Sequence, residues 1–253
     1  MSIDRLNIGE VFMSSARPPA RRLLLISNST LHGSGYLDHA EREIRDFLPE
    51  APPVLFVPFA LFDRDAYAEQ ARQRFERMGF ALSGIHRAAD PRRAVLEAAA
   101  LFIGGGNTFR LLNTLQDLSL LEPIRRRVAE GMPYIGSSAG SVVSSPTIRT
   151  TNDMPIVEPS SFDALGLVSF QINAHYLDPD PASTHMGETR EERLRQFHEE
   201  NATPVVGLRE GTMLRIAGDS VRLLGSRPAR IFRRGQDPLE IPPGSSLEGI
   251  VAA

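Results

Sequence analysis

From residue 22 onward, short unbroken apolar runs alternate with stretches whose apolar residues recur every three or four positions. LLLIS (23–27) and VLFVPFA (54–60) predict buried strands, and YLDHAEREIRDFL (36–48) between them has helical spacing. AYAEQARQRFERMGF (66–80) predicts an amphipathic helix closed by Gly79. ALSGIHR (81–87) predicts a strand, and DPRRAVLEAAA (90–100) a helix with Asp90 as N-cap and Pro91 in its first turn. ALFIGGG (100–106) predicts a strand running into glycines, NTFRLLNTL (107–115) and LLEPIRRRVAEG (120–131) predict helices, and MPYIG (132–136) predicts a strand. Strands that are apolar without alternation, separated by helices, imply a mostly parallel sheet covered on both faces. After about residue 200 the texture changes. PVVGL, TMLRI, VRLLG and ARIFR read as short antiparallel strands appended to one edge. The expectation is one α/β domain over residues 1–253, with residues 1–21 as an N-terminal arm.

Composition removes chemistries from this frame. There is no cysteine, so disulfides, thiolate catalysis and cysteine-held metals are excluded. All 28 basic residues are arginine, which excludes a Schiff-base lysine, a Ser–Lys pair and a P-loop lysine. A net charge of −3 gives no basic face for nucleic acid. No apolar run reaches the ~18 residues of a membrane span, and the first residues lack a signal-peptide core. A cytoplasmic monomer or homodimer without cofactor or metal is expected. Serine or threonine with histidine remains for nucleophilic work.

Gly136-Ser137-Ser138-Ala139-Gly140 fits G-x-S-x-G, with Ser138 at the turn from strand to helix. Glycines are needed there because side chains would collide where the chain doubles back, and the Ala139 amide would face the substrate as an oxyanion donor. The alternative is a small-residue turn that lets a helix pack closely on the sheet. FIGGGNTF (102–109) is a second glycine turn at the end of a strand. Gly105 or Gly106 could supply another oxyanion amide there. Asn107 is a helix cap and a candidate substrate contact. A dinucleotide fingerprint fails at this turn, because the third glycine position is Phe109.

His175 closes the strand-like SFQINAH, again at a carboxyl edge, and is the candidate base. His175, Asp178, Asp180 and His185 cluster in sequence but lack a metal-ligand spacing on a regular element. Two carboxylates compete to orient the imidazole: Asp153, in a polar loop, and Glu210, at the end of a predicted strand. Thr189 to Glu192 reads T-x-x-E, a capping box, and places Arg190 at the first helical position. There it would either grip an anion beside the helix amides or pair with Glu191, Asp178 or Asp180.

The strings LLLISNSTL, VPFA, GIHRAADP, GGGNTF, YIGSSAG, PTIRTTNDMPIV, FDALGL, QINAHY and GETREER together resemble peptidase E, the α-aspartyl dipeptidase family of serine peptidases. The resemblance runs from about Leu23 to about Gly225. It implies a fold like class I glutamine amidotransferase domains, with serine in place of their cysteine. It implies Ser138 as nucleophile and His175 as base, Asp153 as the usual third member and Glu210 as the other candidate. It implies Arg190 as the ligand for the side-chain carboxylate of an N-terminal aspartate, and hence a small peptide as substrate. Two positions depart from the family pattern: Ser137 where tryptophan is common, and Ala174 where proline is common. Both are expected to line the site. A cyanophycinase-like peptidase, an α/β-hydrolase esterase and a non-catalytic binding protein are the rival readings. Against the esterase, only 37 positions separate Ser138 from His175, too few for that fold's intervening βα units.

Overall fold

The computed structural model describes residues 21–251 apart from Pro49, Pro181, Ser183 and His185; the N-terminal arm and His185 lie outside the described residues. The strands are β1 (Arg22–Ile26), β2 (Val54–Val57), β3 (Leu82–Gly84), β4 (Ala100–Ile103), β5 (Tyr134–Ser137), β6 (Gln171–Ala174), β7 (Val205–Leu208), β8 (Thr212–Ala217), β9 (Ser220–Gly225), β10 (Ala229–Phe232) and β11 (Leu239–Ile241). The helices are α1 (Glu41–Phe47), α2 (Arg64–Arg77), α3 (Pro91–Glu97), α4 (Thr108–Asp117), α5 (Leu121–Ala129), α6 (Ala139–Val142), α7 (Arg190–Glu200) and α8 (Glu248–Val251). None of the described helices is long and apolar enough to cross a membrane.

A seven-stranded sheet runs in the order β3-β2-β4-β5-β1-β8-β9. Its first five strands are parallel, and β8 and β9 close it in antiparallel sense. β1 shows why its sequence is uniformly apolar. Leu23 and Leu25 point into the core shared with α3, α4 and α5, and Leu24 and Ile26 into the core shared with α1 and α2. Side chains alternate across a strand, so a sheet covered on both faces needs apolar residues at every position. The caps hold the helices in register with the strands. Asp63 and Asp90 accept from the amides of Ala66 and Arg93 at 2.9 and 3.0 Å, and Asn107 accepts from that of Arg110 at 3.0 Å.

Two expectations need correction. The strand predicted over 81–87 ends at Gly84, and Ile85–Arg87 forms a 3₁₀ turn. β3 is the sheet edge and pairs only as far as Phe56–Gly84, so the chain turns and buries Ile85 instead. The late strands do not all join one edge either. β8 and β9 extend the large sheet, but β7, β10 and β11 join β6 in a second sheet of order β11-β10-β7-β6. β6 and β7 are parallel within it. Residues from both sheets, Leu23 and Leu25 with Ile172, Val206 and Ile231, meet in one apolar cluster.

Candidate active site

Ser138 caps the one-turn helix α6 with φ 52° and ψ −112°, a backbone that side-chain-bearing residues rarely adopt. The turn is this sharp because β5 and α6 nearly touch. A Cβ on Gly136 would lie 2.5 Å from the Gly140 carbonyl, and one on Gly140 would overlap the Ile103 carbonyl oxygen. The Ser138 amide donates to Ile26 O at 2.9 Å, tying the turn to β1. The buried Ser141 hydroxyl lies 2.7 and 2.9 Å from the carbonyls of Ile26 and Gly136 and locks the same corner.

His175 follows β6 and also has positive φ, at 53°. Its amide donates to the Ser27 hydroxyl at 3.1 Å, and that hydroxyl donates to Leu208 O at 2.8 Å. The backbone of His175 is thereby tied to the ends of β1 and β7. Ser138 Oγ lies 3.0 Å from His175 Nε2, and His175 Nδ1 lies 2.8 Å from Glu210 Oε1. A carboxylate only accepts, so Nδ1 carries the proton, and Nε2 is left as the acceptor for the serine hydroxyl. Glu210 sits in the tight turn between β7 and β8. The Gly211 amide there donates to Asn28 Oδ1 at 2.8 Å. Sequence reasoning missed the anchors Ser27 and Asn28; the available signal was the polar SNST directly after an apolar strand.

The carboxylate favoured from the loop string, Asp153, does not meet His175. Its Oδ2 accepts from the Thr108 amide at 2.7 Å and the Thr108 hydroxyl at 2.5 Å, which draws it to the start of α4. Asn107 is likewise committed. It caps α4 and donates to Met154 O at 2.8 Å, and its side chain is absent from the cavity wall. Of the two positions that depart from the family pattern, Ala174 lines the cavity. Ser137 is fully buried beneath it, correcting that expectation.

Gly105 passes beside Ser138: a Cβ there would lie 3.0 Å from Ser138 Cβ. Its amide faces the buried Tyr67 hydroxyl. The amides of Gly106 and Ala139 take no partner among the described residues. Gly106 has φ 133°, and a Cβ on it would stand 2.6 Å from Ala60 O, so only glycine fits. All these groups open onto a cavity of about 690 Å³, together with Arg190 and Asp153.

Arg190 begins α7 beneath the capping box read from sequence. The Thr189 hydroxyl accepts from the Glu192 amide at 3.1 Å, and Glu192 accepts from the Thr189 amide at 2.6 Å. Among the described residues Arg190 forms no ion pair. The acids that could have neutralised it are engaged elsewhere. Asp178 pairs with Arg209 at 2.6 Å, and Glu191 with Arg230 at 3.0 Å. Asp180 accepts from the Ala182 amide at 2.9 Å. Burial lowers the Arg190 pKa from its ordinary value, Arg193 adds to that, and the charge of Asp153 opposes it. A partly desolvated guanidinium without a counter-ion, on the wall of a cavity, is built to receive an anion.

Comparison with known proteins gives the chain its family. A Peptidase E of Streptomyces coelicolor is 54% identical over 229 residues, covering 90% of this chain and 94% of that protein. A probable alpha-aspartyl dipeptidase of Drosophila melanogaster is 49% identical, covering 90% of this chain and 96% of that one. The crystal structure of a putative peptidase E protein from Listeria monocytogenes superposes with a TM-score of 0.63 at 23% identity, covering 81% of this chain and 98% of that chain. That of a peptidase from an acI-B1 Actinobacterium gives 0.68 at 18% identity, covering 92% and 98%. These two likenesses speak to the fold. Residues 23–224, from the first strand to the edge of the large sheet, match peptidase family S51, and the chain belongs to that family.

Proposed function

We propose that this peptidase cleaves dipeptides with an N-terminal aspartate, through an acyl-enzyme on Ser138. The reading rests on one observation: a Ser138–His175–Glu210 relay and an unpaired Arg190 on the wall of the same cavity. His175 Nε2 takes the Ser138 proton as Oγ attacks the aspartyl carbonyl carbon. Glu210 holds the imidazole and stabilises its protonated form. The amides of Gly106 and Ala139 receive the oxyanion. Collapse breaks the C–N bond, and His175 returns the proton to the leaving amine. Water, activated by the same imidazole, then releases aspartate. Arg190 grips the substrate's side-chain carboxylate; an asparagine or leucine in its place leaves the guanidinium desolvated and unpaired. The Drosophila relative's name carries the same specificity. In this reading the sheet corresponds to a glutamine amidotransferase-like fold in which serine replaces cysteine at the elbow.

The test is a panel of Asp-Leu, Asn-Leu and Leu-Leu against wild type, Ser138→Ala and Arg190→Ala. Ser138→Ala is expected to lower kcat by about 10⁴ to 10⁶. Arg190→Ala is expected to lower kcat/KM for Asp-Leu by about 30- to 5,000-fold, with little change for residual Leu-Leu cleavage. An Arg190→Ala enzyme that separates Asp-Leu from Asn-Leu as well as wild type does would show that aspartate is read elsewhere.

A further inference from the structure

Asp153 is the charged group on the cavity wall that the relay and Arg190 leave without a task. Its Oδ2 is crowded, accepting from the Thr108 amide, the Thr108 hydroxyl and the Thr151 hydroxyl at 2.7, 2.5 and 3.1 Å. Its Oδ1 takes no hydrogen bond among the described residues, and the carboxylate forms no ion pair there. The carboxylate is thus held in a fixed orientation by one oxygen, with the other free to accept. A part-buried acceptor of this kind is costly to leave unused, and a ligand that brings donors relieves the cost.

The two free charges of the cavity are therefore Arg190 and Asp153, opposite in sign and near enough for each to feel the other. An N-terminal aspartate offers the mirror of this pair: a carboxylate on its β-carbon and an ammonium on its α-carbon. The other acid on the wall, Glu210, is taken by His175. We infer that Asp153 binds the α-ammonium of the substrate and so makes a free amino terminus a requirement for cleavage. This rests on the Asp-X reading above. It assigns Asp153 to positioning and selection rather than to the proton relay, and it accounts for an enzyme limited to the first residue of a chain.

The experiment compares Asp-Leu with N-acetyl-Asp-Leu, and adds labelling of Ser138 by a fluorophosphonate that carries no amine. Wild type is expected to favour the free amine by about 10- to 150-fold in kcat/KM, the value of a hydrogen bond to a charged group. Its Asp-Leu efficiency should fall above about pH 8 as the α-amine loses its proton. Asp153→Asn is expected to bring the two substrates within a few-fold of each other by losing Asp-Leu turnover. The variant should also flatten the limb above pH 8 and label Ser138 at the wild-type rate. A merely structural role for Asp153 would lower both substrates alike and leave their ratio untouched; that result overturns the assignment. So does labelling slowed as much as peptide cleavage, which would put Asp153 in the relay. Equal cleavage of both peptides by wild type overturns it with no variant needed. A wild-type enzyme that needs the free amine yet cleaves Leu-Leu as readily as Asp-Leu would sink the aspartate reading and leave this one standing.

Discussion

Ser138 reaches His175 because its backbone is held where serine is strained. A residue with a Cβ at φ 52°, ψ −112° costs on the order of 1–3 kcal/mol, sustained here by the packing of β5 against α6. Removing the hydroxyl alone leaves that strain in place; removing Cβ as well releases it. Ser138→Gly is therefore expected to be more stable than Ser138→Ala by about 1 kcal/mol in urea unfolding, with neither variant expected to turn over substrate. Equal midpoints would mean that the elbow stores no strain. The strained elbow at Ser138 was legible in sequence because its constraint is local: two glycines at fixed spacing around one serine. The third member of the relay was not. Asp153 and Glu210 both stand in polar turns at strand or loop ends, and what separates them is long-range. The Thr108 amide and hydroxyl draw Asp153 away, and Asn28, 183 residues from Gly211, fixes the turn that carries Glu210.

Among the elements, the parallel half of the fold was readable because each strand and helix carries its own signal, such as the apolar run of β1 or the Asp90-Pro91 start of α3. The division of the late strands between two sheets was not. The three residues Arg209-Glu210-Gly211 look like a hairpin turn, yet β7 and β8 on either side enter different sheets. What holds this junction is the buried Arg209. It donates to both oxygens of Asp178 at 2.8 and 2.6 Å, to both oxygens of Glu240 at 2.9 and 2.8 Å, and to Pro228 O at 2.8 Å. It thus ties the segment after His175, the turn bearing Glu210 and β11 together. Arg230 links the same cluster to Glu191, next to Arg190. Arg209→Ala is expected to cost about 2 kcal/mol by urea denaturation. That is less than the 3–5 of a fully buried pair, because Asp178 and Glu240 are half-exposed. Arg209→Lys should recover only part of it, since an ammonium cannot supply five donors in a plane. Full recovery by lysine would reduce the cluster to a matter of charge.

For the whole molecule, the absence of lysine makes stability in alkali a property of tyrosine. Arginine keeps its charge throughout, and cysteine is missing too, so the side chains that titrate between about pH 9 and 12 are the four tyrosines. Burial pushes Tyr36, Tyr67, Tyr134 and Tyr176 all up from the usual phenol range, with the Tyr67 charge adding to the rise at Tyr36. Each contributes stability that is fully present below the unfolded pKa of about 10. It is lost as pH climbs from there toward the folded value, because the unfolded chain sheds protons that the folded chain keeps. The slope is at most about 1.4 kcal/mol per pH unit for each tyrosine, and so at most about 5 for the four together, against a stability of about 5–15 kcal/mol for an ordinary domain. The arginine ion pairs, Arg209–Asp178 and Arg74–Glu41 among them, do not weaken over this range. The protein is thus expected to keep its fold to about pH 10 and then unfold cooperatively within roughly one to three pH units. Phenolate absorbance near 295 nm should rise together with the loss of far-ultraviolet circular dichroism, and it is unobscured because there is no tryptophan. Four phenols titrating smoothly near pH 10 while the dichroism stays intact would show that they are open to solvent, and that another group sets the alkaline limit.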